Sequence, residues 1–252
     1  MPYIIKKDSL TTKVFESRSS MGSAAANLVS EKICELLKTK QFINMIFAAA
    51  PSQNDFLDEL IKKNIEWNRI NAFHMDEYVG LDADAPQGFG NFLKDRLFKK
   101  VLFRSVHYLN GNAADLEAEC DRYANLLSLQ PADIVCMGIG ENTHLAFNDP
   151  HVADFNDQNI VKIVDLDMEC RQQQVNDGCF NTTEEVPTHA LTLTIPALVK
   201  PAYVYCIVPG EKKAKAVYQT LNESITEKYP STILRKHPNA ILFIDEKSSV
   251  LI

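Results

Sequence analysis

The side chains that could do chemistry are concentrated after one apolar run in the middle of the chain. Ile134 to Met137 has the composition of a strand that is buried on both faces. It ends in Gly138-Ile139-Gly140, where the backbone is free to turn sharply or to approach a ligand closely. Polar and ionisable residues follow at once: Glu141, Asn142, Thr143, His144, Asn148 and Asp149. Ligands of open α/β sheets bind beyond the carboxyl ends of the strands, so this segment is a candidate site. The same pattern also occurs in ordinary strand-to-loop connections.

Elements able to position such a site are arranged along the whole chain. Strand and helix patterns alternate, which predicts an α/β fold with three α/β/α layers and a mostly parallel, Rossmann-like sheet. No linker or internal repeat interrupts the pattern, so residues 1–252 are expected to form a single domain. The predicted strands are 41–50, 70–75, 105–109, 134–137, 160–166, 190–195, 201–208 and 240–244. The predicted helices are 19–38, 52–63, 89–100, 114–129, 168–176 and 212–221.

Composition excludes several classes of function. The net charge of −7 argues against non-specific nucleic-acid binding, which needs a basic face. The six cysteines show neither Cys-x-x-Cys nor zinc-finger spacing, and no motif for a metal or another cofactor is present. The chain has no signal-peptide core and no apolar run of membrane length, so we expect a cytoplasmic protein without a membrane partner.

Two segments resemble signatures of one enzyme family. Residues 138–150, Gly-Ile-Gly-Glu-Asn-Thr-His-Leu-Ala-Phe-Asn-Asp-Pro, resemble the signature of the glucosamine-6-phosphate deaminase family, which is related to the 6-phosphogluconolactonases. Upstream, residues 73–81, Phe-His-Met-Asp-Glu-Tyr-Val-Gly-Leu, resemble its Met-Asp-Glu-Tyr-Val-Gly-Leu block. The resemblance implies the same three-layer α/β/α fold and a reaction that needs no cofactor.

The resemblance assigns roles to four side chains. Asp76 corresponds to the general base that removes the C2 proton of an open-chain aminosugar phosphate, a role that burial would favour by raising the pKa of a carboxyl group. In extended backbone its neighbour Glu77 should point away from the substrate. His144 corresponds to the ring-opening histidine, and Asp149 to the glutamate that orients it. Asn142 stands where the family has a third catalytic carboxylate.

That asparagine and the residue after it depart from the family pattern. The amide of Asn142 could still form a hydrogen bond with the imidazole, but it carries no charge to stabilise an imidazolium. Glu141 is a candidate for supplying that charge. Thr143 replaces the glycine of the signature.

The phosphate site predicted by the resemblance departs as well. The family usually has a Gly/Thr-rich loop after the first strand, whereas this chain has Ala48-Ala49-Ala50-Pro51-Ser52-Gln53. Small residues allow close backbone approach, so Ala49 and Ala50 are candidate phosphate contacts. Ser52 is the best hydroxyl ligand or, alternatively, a plain helix N-cap. Arg171 and Lys213 resemble the family's phosphate-binding cations, and Lys212 is the neighbour that could be mistaken for Lys213.

These residues lead to a function with two alternatives. The expected reaction converts glucosamine 6-phosphate, or a close aminosugar phosphate, to fructose 6-phosphate and ammonia. The alternatives are hydrolysis of 6-phosphogluconolactone and sugar-phosphate binding with weakened catalysis. The expected partner is a small hexosamine phosphate, and the sequence leaves a homo-oligomer possible. His189 is interpreted as structural.

Overall fold

Strands and helices alternate through residues 2–252, the part of the chain described by a computed structural model. Eleven strands lie within this range. In chain order they are β1 (Tyr3–Lys7), β2 (Leu10–Phe15), β3 (Ile43–Phe47), β4 (Ile70–His74), β5 (Asp76–Tyr78), β6 (Ser105–His107), β7 (Ile134–Met137), β8 (Val161–Asp165), β9 (His189–Leu193), β10 (Tyr203–Val208) and β11 (Ala240–Asp245).

Seven α-helices lie within the same range. They are α1 (Arg18–Leu37), α2 (Asn54–Leu60), α3 (Phe89–Leu93), α4 (Leu116–Leu129), α5 (Met168–Asn176), α6 (Ile195–Val199) and α7 (Ala214–Asn222). Turns of 3₁₀ helix precede α2 and α7, and α3 continues as a π-helix over Lys94–Phe98. None of the helices in residues 2–252 combines the length and the apolar composition needed to cross a membrane.

Eight of the strands form the main sheet, in the order β1-β2-β11-β10-β7-β3-β4-β6. All of its pairs are parallel except the β1–β2 hairpin, which confirms the mostly parallel sheet expected from the sequence. The hairpin itself was not predicted. Its outer strand lies at the edge, with Tyr3 and Ile4 largely exposed, so it lacks the apolar alternation that marks a half-buried strand.

The strands of this sheet divide their side chains between two apolar cores. In β7, Ile134 and Cys136 join the core that includes α1 and α2, while Val135 and Met137 join the core that includes α4 and α7. This alternation follows from the two-residue period of a strand. Burial on both faces explains why β7 is apolar throughout, and it confirms the three-layer architecture.

A second, antiparallel sheet of three strands has the order β5-β9-β8. The strands predicted at 160–166 and 190–195 exist, but they belong to this small sheet rather than to the parallel one. Strand β5 is only three residues long and is separated from β4 by Met75 alone. Asp76, its first residue, pairs with Thr192, so the second sheet fixes the backbone that carries the candidate base.

A buried histidine at the end of β4 makes the fold sensitive to acid. His74 is fully buried, and its Nε2 accepts a 2.6 Å hydrogen bond from the backbone N–H of Leu109. Burial lowers the pKa of His74 to about 3 from 6.5. The unfolded chain therefore binds this proton at a higher pH than the folded protein does. Protein stability should consequently fall as the pH drops from 6.5 toward 3.

We expect His74→Gln to flatten this acid dependence. The Gln side-chain oxygen can accept the Leu109 hydrogen bond and does not titrate. In the wild type, this one group should remove about 1.4 kcal/mol of the free energy of unfolding per pH unit within that window. Urea denaturation of both proteins between about pH 4 and pH 7 measures the difference. An equally steep loss of stability in the variant would exclude His74 as the cause.

Candidate active site

Four neighbouring strands end at one cleft. In the sheet β10, β7, β3 and β4 are adjacent, and the residues that follow them line the same depression. These are Ala48, Ala49, Ala50 and Ser52 after β3, Asp76 after β4, Gly138, Ile139, Gly140 and His144 after β7, and Lys213 after β10. The chain continues from β3 toward β4 and from β7 toward β10, so the order reverses between β3 and β7. Such a reversal is where open α/β sheets bind ligands.

Asp76 faces this cleft with its carboxyl group buried. Burial, together with the nearby charge of Glu77, raises the pKa of Asp76 well above the ordinary value of an aspartate. Glu77 points elsewhere, as predicted, and accepts hydrogen bonds from the backbone N–H groups of Tyr78, Phe89 and Gly90 at 2.8–3.0 Å. The raised pKa makes the carboxylate form of Asp76 a stronger base than an exposed aspartate, while Glu77 fixes the start of α3.

His144 lies across the cleft beside a buried carboxylate. Its Nδ1 is 3.0 Å from Oδ1 of Asp149, close enough for an ion pair but not aligned as a hydrogen bond. Burial alone would raise the pKa of Asp149. The imidazole of His144 and the amide of Asn142 outweigh that effect and hold the pKa below its ordinary value. Gly140 is required here because a Cβ at that position would overlap the His144 ring.

Asn142 does not form the predicted hydrogen bond with the imidazole. Its Oδ1 accepts from the backbone N–H of His144 at 3.1 Å. Its Nδ2 donates to Asp149 at 3.0 Å and to Asp167 at 3.2 Å. The side-chain hydrogen bond of Glu141 runs to Asn176 instead, at 3.4 Å. The second carboxylate beside Asn142 is therefore Asp167, which was not predicted from the sequence although an aspartate before a helix is a recognisable N-cap signal.

Thr143 adopts a backbone conformation that suits the glycine of the family signature. Its φ of 73° lies in the left-handed region, which is unfavourable for a β-branched residue. The threonine is fully buried, and its backbone bonds to Gly140 and Ser231 at 3.0 Å keep the loop in this shape. The loop geometry is therefore retained here at the expense of local strain.

We expect Thr143→Gly to be about 1 kcal/mol more stable than Thr143→Ala, because only the glycine variant relieves the left-handed strain at this position. Thr143→Ala is the matched control, since it removes the same side-chain atoms beyond Cβ but keeps a Cβ at positive φ. Thermal unfolding of the three proteins measures the effect. A glycine variant no more stable than the alanine variant would contradict the strain argument.

The structure brings four of the five predicted phosphate-binding residues into the cleft. Ala49, Ala50, Ser52 and Lys213 line it together with Asp76. Ser52 is not an N-cap: it lies within the Pro51–Gln53 turn, and no side-chain cap is formed there or at α2. The buried amide of Gln53 donates to Ser52 Oγ at 3.2 Å, which leaves the serine O–H free to donate to a ligand.

Lys213 is the buried cation of the cleft. Burial lowers the pKa of its ammonium group, and the charges of Asp177 and Glu141 oppose that effect. The neighbouring Lys212 is directed differently, and its Nζ donates to the backbone carbonyl of Asn176 at 2.9 Å. The structure thus separates the two lysines that the sequence leaves interchangeable.

Arg171 does not line the cleft, contrary to its predicted role. Its guanidinium group donates to the backbone carbonyls of Thr183 and Val186, so it fixes the segment that follows α5. Gln173, Gln174 and Asp177 line the cleft instead. These three were not predicted from the sequence, although the Gln-Gln-Gln run directly after Arg171 was a signal for a polar helix face.

Two groups of side chains bring possible metal ligands together. One is His144, Asp149 and Cys170, and the other is Asp149, His151 and Asp167. Burial raises the pKa of the Cys170 thiol well above its usual range. Because the thiolate is the metal-binding form, Cys170 is a poor ligand at neutral pH. The first group is better described as a histidine–carboxylate pair that packs against a thiol.

Comparison with known proteins points to one family. The family model for glucosamine-6-phosphate isomerases/6-phosphogluconolactonase matches residues 16–243. A glucosamine-6-phosphate deaminase of Bacillus cereus (strain B4264) is 33% identical over 214 residues, which are 85% of this chain and 80% of that protein. The structure of a monomeric glucosamine-6-phosphate deaminase has a TM-score of 0.86 at 29% identity and covers 96% of this chain and 99% of its own. A 6-phosphogluconolactonase from Thermotoga maritima has a TM-score of 0.75 at 22% identity, with 94% and 100% covered, and shares the fold.

Proposed function

Because the chain belongs to the glucosamine-6-phosphate isomerase/6-phosphogluconolactonase family, whose members are sugar-phosphate enzymes, we propose that it is an aminosugar-phosphate deaminase. It converts glucosamine 6-phosphate to fructose 6-phosphate and ammonia. The observation that carries the proposal is a buried carboxyl group, Asp76, in the same cleft as His144 and Lys213. Proton abstraction from carbon needs a strong general base, and a buried carboxyl group whose pKa is raised supplies one.

His144 starts the reaction by moving a proton between the ring oxygen and the anomeric hydroxyl of the sugar. Imidazole is suited to this transfer near neutral pH. Asp149, 3.0 Å away, stabilises the imidazolium that forms when the ring takes up a proton. The product of this step is the open-chain aldehyde with its amine at C2.

Asp76 then isomerises the open chain. Its carboxylate removes the proton from C2, and the electron pair forms a C1–C2 double bond while the C1 oxygen takes up a proton from water. The resulting enolamine is reprotonated at C1 by the same carboxyl group, and the nitrogen returns one proton to the hydroxide left by that water, which gives an imine at C2. Water adds to the imine carbon, and ammonia leaves as the ketone forms. One water is consumed and one ammonia is released.

The phosphate is held at the other strand ends. Lys213 supplies a buried positive charge, Ser52 supplies a hydroxyl donor, and the small side chains of Ala49 and Ala50 allow close approach to the backbone. With Arg171 directed away, Lys213 is the main cation available to the phosphate in this proposal.

Ammonia release from purified protein tests the proposal. Glucosamine 6-phosphate is the substrate, with galactosamine 6-phosphate and 6-phosphogluconolactone assayed in parallel. Formation of ammonia and fructose 6-phosphate in equal amounts supports the proposal. Lactone hydrolysis without ammonia would assign the chain to the lactonase reaction, and binding of glucosamine 6-phosphate without turnover would assign it to sugar-phosphate sensing.

A further inference from the structure

Two carboxylates share the side-chain amide of Asn142. Nδ2 donates to Oδ1 of Asp149 at 3.0 Å and to Oδ2 of Asp167 at 3.2 Å. Asp149 is fully buried and pairs with His144, while the Asp167 side chain is 29% exposed. The asparagine therefore connects the histidine's own partner to a second negative charge in a different element.

Asp167 contacts both Asn142 and Asp149. Its backbone N–H donates to Oδ2 of Asp149 at 3.4 Å. Its side chain accepts from Asn142 through Oδ2 and caps α5 through Oδ1, which receives the Cys170 N–H at 2.6 Å. Asp167 thus fixes the start of α5 relative to the carboxylate that holds the catalytic histidine.

The chemistry at position 142 follows from this geometry. An aspartate there would point a third carboxylate at Asp149 and Asp167 from about hydrogen-bond distance, where like charges repel strongly. An asparagine offers two N–H donors instead and satisfies both neighbours. With asparagine at 142, two carboxylates lie near His144: Asp149, which contacts the ring, and Asp167, which is connected to Asp149 through Asn142. A chain with aspartate at 142 and at 149, and no carboxylate at 167, would also have two.

We propose that Asp167 is a positioning residue: through Asn142 it holds Asp149 against His144 and supplies the negative charge that the family signature places at position 142. The inference rests on the proposed function for its kinetic consequence, because His144 is the group that opens the sugar ring. We call Asn142 and Asp167 the exchanged pair, because an amide stands at 142, where the family signature has a carboxylate, and a carboxylate stands at 167.

Asp167→Asn separates this role from helix capping. Asparagine caps helices about as well as aspartate does, so a residue that only caps α5 would be replaced without effect. If Asp167 is a positioning residue, the introduced amide would instead direct its own N–H₂ at that of Asn142 and lose the charge. We expect kcat for glucosamine 6-phosphate to fall about tenfold and KM to stay within about twofold. Unchanged kcat would overturn the proposal.

The exchanged pair gives a rescue experiment. Asn142→Asp alone should lower both kcat and the urea midpoint, because three carboxylates then converge. The double variant Asn142→Asp/Asp167→Asn returns one amide and two carboxylates to the cluster, so it should recover the midpoint and at least half of the kcat lost by the worse single variant. A double variant as impaired as the sum of the two single changes would contradict the pairing.

A measurement without substrate keeps the inference separate from the proposed function. Ring ¹⁵N chemical shifts of His144 report which nitrogen carries the proton. We expect them to change in Asp167→Asn and to return toward wild-type values in the double variant. Wild-type protein that released no ammonia would refute the proposed function, while the shifts and the urea midpoints would still decide the pairing. If Asn142→Asp alone does not fold, folding of the double variant is itself the expected rescue.

Discussion

Replacing Asp76 with asparagine is expected to lower kcat for glucosamine 6-phosphate by about a thousandfold, because the variant has no base for the C2 proton. Substrate binding should be largely kept, since Lys213 and Ser52 remain in the cleft. Steady-state ammonia release gives kcat, and calorimetric titration with glucosamine 6-phosphate gives the dissociation constant. The expected signature is lost turnover with binding intact.

The same substitution should stabilise the protein at neutral pH. The raised pKa of Asp76 means that the folded state holds the proton more tightly than the unfolded chain does. Stability therefore falls as the pH rises above the ordinary aspartate pKa, and a neutral amide removes that penalty. We expect Asp76→Asn to have a higher free energy of unfolding than the wild type at neutral pH.

Asp84→Asn is the matched control, because it makes the same chemical change at an exposed position outside the cleft. It should leave both turnover and stability close to wild type. Near-wild-type turnover in Asp76→Asn would refute the assigned base. A thousandfold loss accompanied by lower stability would instead indicate a structural defect, which the unfolding measurement detects.

Much of the fold is readable from local patterns. The strands of the central sheet are apolar because they are buried on both faces, so β3, β4, β7, β10 and β11 could be located from composition alone. The strands that were missed or placed in the wrong sheet depend on distant partners. The β1–β2 hairpin joins the sheet through β11, more than two hundred residues away, and β5 is stabilised by β9. No local pattern encodes those pairings.

The site shows the same division between local and distant information. Asp76, His144 and Lys213 could be located through the resemblance to the family signatures, and the strand ends then bring them to one edge of the sheet. The direction of a long side chain could not be predicted, and Arg171 illustrates the reason. Its guanidinium group is captured by carbonyls of residues 183 and 186, whose position depends on how the chain returns to β9. The pairing of Asn142 with Asp167 likewise requires two loops to meet.

The two ionisable groups with the clearest proposed roles are both costly to the fold. Asp76 and Lys213 are buried, and burial shifts the pKa of each toward its neutral form. A bound sugar phosphate would reverse part of this cost, because its dianionic phosphate restores a partner to the ammonium group. Ligand binding should therefore stabilise the protein more than its contact area alone suggests.

Lys213→Met tests the phosphate end of the cleft. We expect KM for glucosamine 6-phosphate to rise about a hundredfold, since a buried charge-assisted contact to the phosphate is lost. The effect on kcat should be smaller because the lysine is remote from the C2 proton in the proposed binding mode. Met keeps the length and the apolar part of the side chain, so the free protein should become more stable as the buried ammonium group is removed.

Lys212→Met is a control that differs by one position. This lysine is exposed, and its ammonium group bonds to the carbonyl of Asn176 rather than lining the cleft. KM should stay within about threefold of wild type, since a surface charge near the site contributes little. Equal increases in KM for the two variants would mean that the region acts only through its general positive charge. A hundredfold increase in KM confined to Lys213→Met requires direct contact between this lysine and the phosphate. Added glucosamine 6-phosphate should then raise the melting temperature of the wild type and of Lys212→Met far more than that of Lys213→Met.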